Sequence, residues 1–110
     1  MEDDEWIQEA CSCGCDDRIQ LTFSEALQYL KDGEKLAREG WNGVNMFIVH
    51  QNGYPDGIAI NKNTAEATGL AEGTVCVFRS YLMMRTADGS FVPWVVSQTD
   101  LLEEDWYVVD

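Results

Sequence analysis

The stretch TFSEALQYLKDG, residues 22–33, is the strongest helical signal in the chain and limits what the rest can become. Thr22 and Glu25 are spaced as a capping box, in which each side chain accepts a hydrogen bond from the other's otherwise unpaired backbone N–H. Phe23, Ala26, Leu27 and Leu30 then fall at i, i+3, i+4 and i+7, which is one apolar stripe, and Gly33 supplies a natural stop. A single stripe needs a partner. In a chain of 110 residues that is 45% hydrophobic, the remaining apolar side chains are expected to form a sheet against that helix.

Residues 35–39 and 46–51 read as strands joined by Gly40-Trp41-Asn42-Gly43, and the loop NGYPDG follows. Asn63-Thr64-Ala65-Glu66 repeats the capping logic for a second, short helix closed by Gly69. Residues 74–86 and 90–96 flank Asp88-Gly89, the sequence of a two-residue hairpin turn. Such a turn pairs Arg85 with Val92 and Met83 with Trp94, so that Tyr81, Met83, Arg85 and Trp94 share one face and Arg85 reaches the ligand of Trp94. Pro93 has no N–H to give a ladder and belongs at an edge. Ser97 or Thr99 caps a short turn through Leu101–Glu104, and residues 106–109 form a last strand. The order predicts an α+β fold, an antiparallel β-sheet wrapped around one principal helix, with a second short helix.

Charge divides the chain into two parts. Residues 1–20 carry seven acids against Arg18, whereas residues 21–99 have a net charge of only −2 within a total of −13. The expected organisation is an acidic, cysteine-containing N-terminal leader, 1–20, followed by a single α+β ligand-binding domain, 21–110. With no basic stripe to displace counterions, duplex nucleic acid is not an expected partner. No apolar run is long enough to span a membrane and no signal peptide is evident, so a cytoplasmic protein is expected.

Catalytic patterns are poor. Phosphate-loop, dinucleotide, zinc-protease and serine-hydrolase motifs are absent, and His50 is the sole histidine, at the end of an apolar strand. Cys11, Cys13 and Cys15 form C-x-C-x-C rather than the C-x-x-C pairs of metal sites, so they are read as a reduced tail, and Cys76 as a small core residue. No metal and no cofactor are expected. The segment VPWVVSQTDLLEEDW, residues 92–106, is more informative because two indoles bracket uncharged hydrogen-bonding groups, the mixture that suits a small-molecule pocket. Trp41, in a glycine-flanked loop beside Asn42, offers a flat wall for a nucleobase. Gln98 can both donate and accept, and Asp100 can accept from ribose hydroxyls or cap a turn. Arg38 and Arg85 are either partners of the many carboxylates or contacts for a phosphate.

These residues carry a resemblance. Through TFSEALQYLKDGEKLAREGWNG, GIAINKNTAEATGLAEGTVC and YLMMRTADGSFVPWVVSQTDLLEEDW, residues 21–109 resemble the Thoeris anti-defence 2 family of phage proteins. The resemblance implies a non-enzymatic sponge, a homotetramer that binds a cyclic ADP-ribose isomer or a related cyclic nucleotide, in some members a cyclic dinucleotide, inside the infected host. It implies a ligand at subunit interfaces, with Trp41, Asn42, Trp94, Gln98 and Asp100 as contacts, to which the hairpin pairing adds Arg85. A sponge binds without turnover, which agrees with the missing catalytic set. Two alternatives differ in class: a metal-dependent nucleotide hydrolase using Asp100 with Glu104 or Asp105, and an acidic inhibitor that blocks a basic protein. Because the leader lies outside the resemblance, deleting residues 1–20 is expected to change the affinity for cyclic ADP-ribose less than tenfold, as measured by calorimetric titration.

Overall fold

The structure, a computed structural model, describes residues 18–110. Cys11, Cys13, Cys15 and most of the acidic leader lie outside the described residues. In chain order the elements are α1 (Phe23–Lys31), β1 (Lys35–Arg38), β2 (Phe47–Gln51), β3 (Tyr54–Ala59), α2 (Lys62–Thr68), β4 (Val75–Phe78), β5 (Tyr81–Arg85), β6 (Phe91–Pro93), α3 (Gln98–Leu102) and β7 (Trp106–Val109). The fold is α+β, as its sequence implies. Thr22 and Glu25 form the capping box, and Phe23, Ala26 and Leu30 are the buried stripe of α1.

That stripe packs on a five-stranded antiparallel sheet of order β6-β5-β2-β1-β7. Leu36, Ile48, Trp106 and Val108 fill the contact, joined by the partly buried Leu82 and Met84. Because side chains alternate along a strand, the pairing of Phe47 with Arg85, Val49 with Met83 and Ala37 with Tyr107 puts these residues on the other face, which no helix among the described residues covers. Residues just before α1 also join the sheet: Leu21 bridges Trp106, and the Arg18 carbonyl accepts from the Val108 N–H at 2.8 Å.

Three features depart from the sequence expectation. First, the NGYPDG segment is not a free loop, since Tyr54–Ala59 is a strand paired with β4. Strands β2–β3 and β4–β5 make one long antiparallel ribbon, broken by Asn52-Gly53 on one side and Arg79-Ser80 on the other. The strands cross so closely there that a Cβ on Gly53 would lie 2.3 Å from the Phe78 carbonyl oxygen. Beyond this kink the ribbon forms a separate two-stranded arm tipped by α2, with a bulge between Tyr54 and Ile58. Pro55, which lacks an N–H, and Gly57, at φ +92°, occupy the bulge. Second, Asn61 rather than Asn63 caps α2, its side chain accepting from the Thr64 N–H.

Third, the β5–β6 hairpin is shifted by one residue. Arg85 pairs with Phe91, Met84 with Val92 and Met83 with Pro93. Asp88-Gly89 does not form a two-residue turn. The loop is Ala87-Asp88-Gly89, closed by Thr86 N–H to Ser90 carbonyl and Gly89 N–H to Thr86 carbonyl, with Gly89 at φ +89°. This is the type I turn with a glycine bulge, the three-residue solution for a hairpin. Asp88 stabilises it by accepting from Thr86 and from the Ser90 N–H. A one-residue slip turns every side chain over, so Trp94 lies across from Leu82 on the helix side while Arg85 is on the open face. The expected sharing of one face by Arg85 and Trp94 is therefore corrected.

Trp106 is completely buried and touches the Phe23, Trp41 and Trp94 rings. Trp106→Ala is expected to destabilise the protein by about 3–5 kcal/mol, the cost of emptying a large aromatic site, measured by urea unfolding.

Candidate functional site

The link between the two sheet edges builds the site. β6 and β7 are opposite edges, so residues 94–105 must carry the chain across the helix side of the sheet. On the way, Trp94 packs 6.2 Å from Phe23, 6.5 Å from Trp41 and 6.1 Å from Trp106, measured between ring centroids. Ser97 caps α3 by accepting from the Asp100 N–H. That short helix delivers the Asp100 carboxylate to the end of β1.

There Arg38 joins two carboxylates. Its Nε and Nη2 donate to Asp105 at 2.7 and 3.2 Å, the paired geometry of a guanidinium on a carboxylate, and its Nη1 donates to Asp100 at 2.7 Å. The Arg38 side chain is 9% exposed and that of Asp100 14%, so solvent screens this contact weakly. The same Asp100 oxygen accepts from the Trp41 indole N–H at 3.1 Å, its other oxygen accepts from Ser97, and its backbone carbonyl accepts from the Trp106 indole at 2.9 Å. Asp105 also accepts from the Gly40 N–H at 2.9 Å. The pairing with Asp105, and next with Asp100, raises the Arg38 pKa above the ordinary guanidinium value despite burial. The Arg38 hydrogen bond holds Asp105 below the usual carboxylate range. Burial pushes Asp100 up, but hydrogen bonds from Arg38, Trp41 and Ser97 outweigh it and leave its pKa lowered.

Beside this cluster lies a cleft of about 380 Å³ that runs onto the open face of the sheet and is lined by Lys35, Trp41, Asn45, Phe47, Arg85 and Tyr107, among others. Arg85 donates to the Asn45 carbonyl at 3.0 Å, and Lys35 sits 5.3 Å from the centre of the Phe47 ring. Among the described residues neither cation is paired with a carboxylate.

The structure thus brings together some of the residues singled out in the sequence. Trp41 and Arg85 line one cleft, and Trp94 and Asp100 stand behind Trp41 in contact with its indole. Asn42 and Gln98 are exposed, and among the described residues their side chains have no hydrogen-bond partner. Arg38, read as either an ion-pair partner or a phosphate contact, is the former. Among the described residues no group of three potential metal ligands occurs. Of the carboxylates that a metal-dependent hydrolase would use, Asp100 with Glu104 or Asp105, the two aspartates are held by Arg38. Lys35, Phe47 and Tyr107 carry no signal of their own in the sequence, and Asp105 stands out there only as a possible metal ligand, whereas the structure places it on Arg38. Alternation along β1, β2 and β7 was the signal available for Lys35, Phe47 and Tyr107, since Lys35, Ala37, Phe47, Tyr107 and Val109 fall on one face.

Residues 21–109 match the family profile described as a Thoeris anti-defense 2-like domain. The chain belongs to the Thoeris anti-defense 2 family. A similar protein, named Thoeris anti-defense 2, comes from Bacillus phage SP01. It is 37% identical over 92 residues, which cover 84% of this chain and 98% of that relative. The family match spans the helix, both sheets and every residue of the cleft except Asp110. No helix among the described residues is long and apolar enough to cross a membrane.

Because the folded-state pKa values of Asp100 and Asp105 lie below their unfolded values, folding favours the charged forms. That contribution is complete above the unfolded value near ~4 and is lost as the pH falls through the folded values. Urea midpoints are therefore expected to drop below about pH 4. Arg38→Ala should cost about 3–5 kcal/mol at pH 7, because it strands two partly buried carboxylates, and should flatten that acid limb. A residual slope should persist from Asp88, whose pKa hydrogen bonds from Thr86 and Ser90 lower to about 2.

Proposed function

We propose that this protein counters Thoeris-type immunity by binding a cyclic ADP-ribose isomer, or a closely related cyclic nucleotide, and holding it without degrading it. The observation that carries this reading is the cleft. In a chain of net charge −13, it collects Lys35 and Arg85, neither paired with a described carboxylate, beside the Trp41 indole and Tyr107, although Glu39 and Asp110 also line it. A pyrophosphate needs cations and an adenine needs a flat wall, and neither needs a nucleophile. The names of the family and of the phage relative support the biological setting.

The same geometry supports assembly. Phe47, Val49, Met83 and Phe91 stand on the sheet face that α1 leaves uncovered, and Val75, Val77 and Leu70 of the arm are 68%, 65% and 48% exposed. Apolar surface of this extent on so small a domain favours burial against further copies. The cleft opens on that face, so a second copy would close it, and a homotetramer acting in the host cytoplasm is the assembly proposed.

Incubating the protein with cyclic ADP-ribose, denaturing the complex and weighing the released molecule by mass spectrometry tests the sponge. Unaltered mass is expected, and a hydrolysed product would replace the sponge with an enzyme. In calorimetric titration Trp41→Ala should weaken binding by ~1–3 kcal/mol, about 5- to 150-fold. Arg85→Ala should weaken it by ~1.5–3 kcal/mol, the range for a hydrogen bond to a charged group. Sedimentation at micromolar concentration should show an oligomer, and a monomer would remove the interface-closed cleft.

A further inference from the structure

We propose that Arg38 and Asp100 act as positioning residues for Trp41, setting the indole as a fixed wall of the cleft rather than touching the ligand themselves. As regards affinity, this rests on the nucleotide reading above. As regards the ring, it stands alone.

Trp41 follows Gly40 and precedes Asn42 and Gly43, a backbone with little intrinsic preference for one path. Left to itself such a loop would sample many orientations of its indole. Three contacts remove that freedom. The Asp100 carboxylate accepts the Trp41 indole N–H at 3.1 Å, Asp105 accepts the Gly40 N–H at 2.9 Å, and the Trp41 N–H reaches the Arg38 carbonyl at 3.2 Å. Both carboxylates are themselves fixed by one guanidinium, which touches Asp100 at 2.7 Å and Asp105 at 2.7 Å. The fit at Gly40 is close: a Cβ there would lie 2.8 Å from Arg38 Nη2 and 3.0 Å from an Asp105 oxygen. The Trp106 ring, 5.3 Å away and steeply inclined at 80°, backs the indole from behind.

A direct role for Asp100 in binding ribose is harder to accommodate. One of its oxygens already accepts from Arg38 and Trp41, and the other from Ser97. Arg38 lines the cleft, but three of its five N–H groups donate to Asp100 and Asp105 and its charge is met by those two carboxylates, which disfavours it as a phosphate contact. What these two residues can do for the cleft is hold its wall in place, which lowers the ordering cost of binding.

The test uses the full-length protein labelled with nitrogen-15, with Arg38→Lys and Asp100→Ala each made alone and in a Trp41→Phe background. Phenylalanine keeps an aromatic wall but has no indole N–H. Hydrogen exchange at the Trp41 indole is expected to quicken at least tenfold in both single variants. The Trp106 indole, buried and bonded to the residue 100 carbonyl, should stay within twofold and so report that the fold is intact. Calorimetric titration with cyclic ADP-ribose should show at least fivefold weaker binding for each single variant. In the Trp41→Phe background Asp100→Ala should change affinity less than twofold, because the contact through which it acts is gone, and Arg38→Lys should cost less than it does with Trp41 present, since only its hold on Gly40 through Asp105 remains. Equal losses in both backgrounds would mean that Arg38 or Asp100 touches the ligand, and would overturn the proposal. So would unchanged Trp41 exchange in Arg38→Lys, the milder variant, which retains a cation between the aspartates. If the wild-type protein does not bind cyclic ADP-ribose, the nucleotide reading falls, while the exchange rates still decide whether these residues set the ring.

Discussion

One guanidinium ties together parts of the chain that the sheet alone leaves separate. Arg38 ends β1, Asp100 sits on α3 and Asp105 precedes β7, and the ionic contact among them fixes where the long return from β6 comes to rest. The contact is short and shielded, which gives it more influence than an ion pair in water would have. Hydrogen bonds then pass that fixed position on to Gly40 and Trp41. The tryptophan cluster is in this sense a consequence of charge placement as much as of hydrophobic burial.

The two faces of the main sheet serve different ends. On the α1 side, Leu36, Ile48, Trp106 and Val108 form a conventional closed core. On the other side stand aromatic, aliphatic and cationic side chains without a cover from the described residues, and the cleft begins there. Trp41 stands at the boundary, half-buried, lining the cleft while its N–H is given to the Asp100 carboxylate. This double duty explains why its chemistry could be read either as packing or as ligand wall. Both descriptions apply to different atoms of one side chain.

How much was legible varies with the range of the interaction. The capping box of α1 and the cap of α3 by Ser97 depend on residues a few positions apart, and the sequence displayed them. Asp88-Gly89 announced a hairpin but not its loop length, since the same pair serves a two-residue turn or, with Ala87, a three-residue one. That single residue decided on which face Trp94 and Arg85 would lie. The kink was illegible for another reason: residues 74–86 are uniformly suited to a strand, and the break at Arg79-Ser80 follows from the approach of Gly53, a distant residue. In the site, the residue types near Trp41 were visible. The pairing of Asp100 and Asp105 with Arg38 was not, because only the crossing of the chain brings those two to it.

The kinked ribbon sets rules for how its length can change. From Phe47 opposite Arg85 to Tyr54 opposite Phe78 the two strands advance in step, with two residues on either side of the kink, and the first irregularity is the bulge that follows. Residues gained or lost around α2 would lengthen or shorten the tip and leave that register untouched. A single residue inserted at Asn52 would instead turn over every later side chain of β3 and set the kink out of step with Arg79-Ser80. The ribbon is therefore a graft site with a protected base, where new loops can be added at the far end without moving a side chain of the cleft.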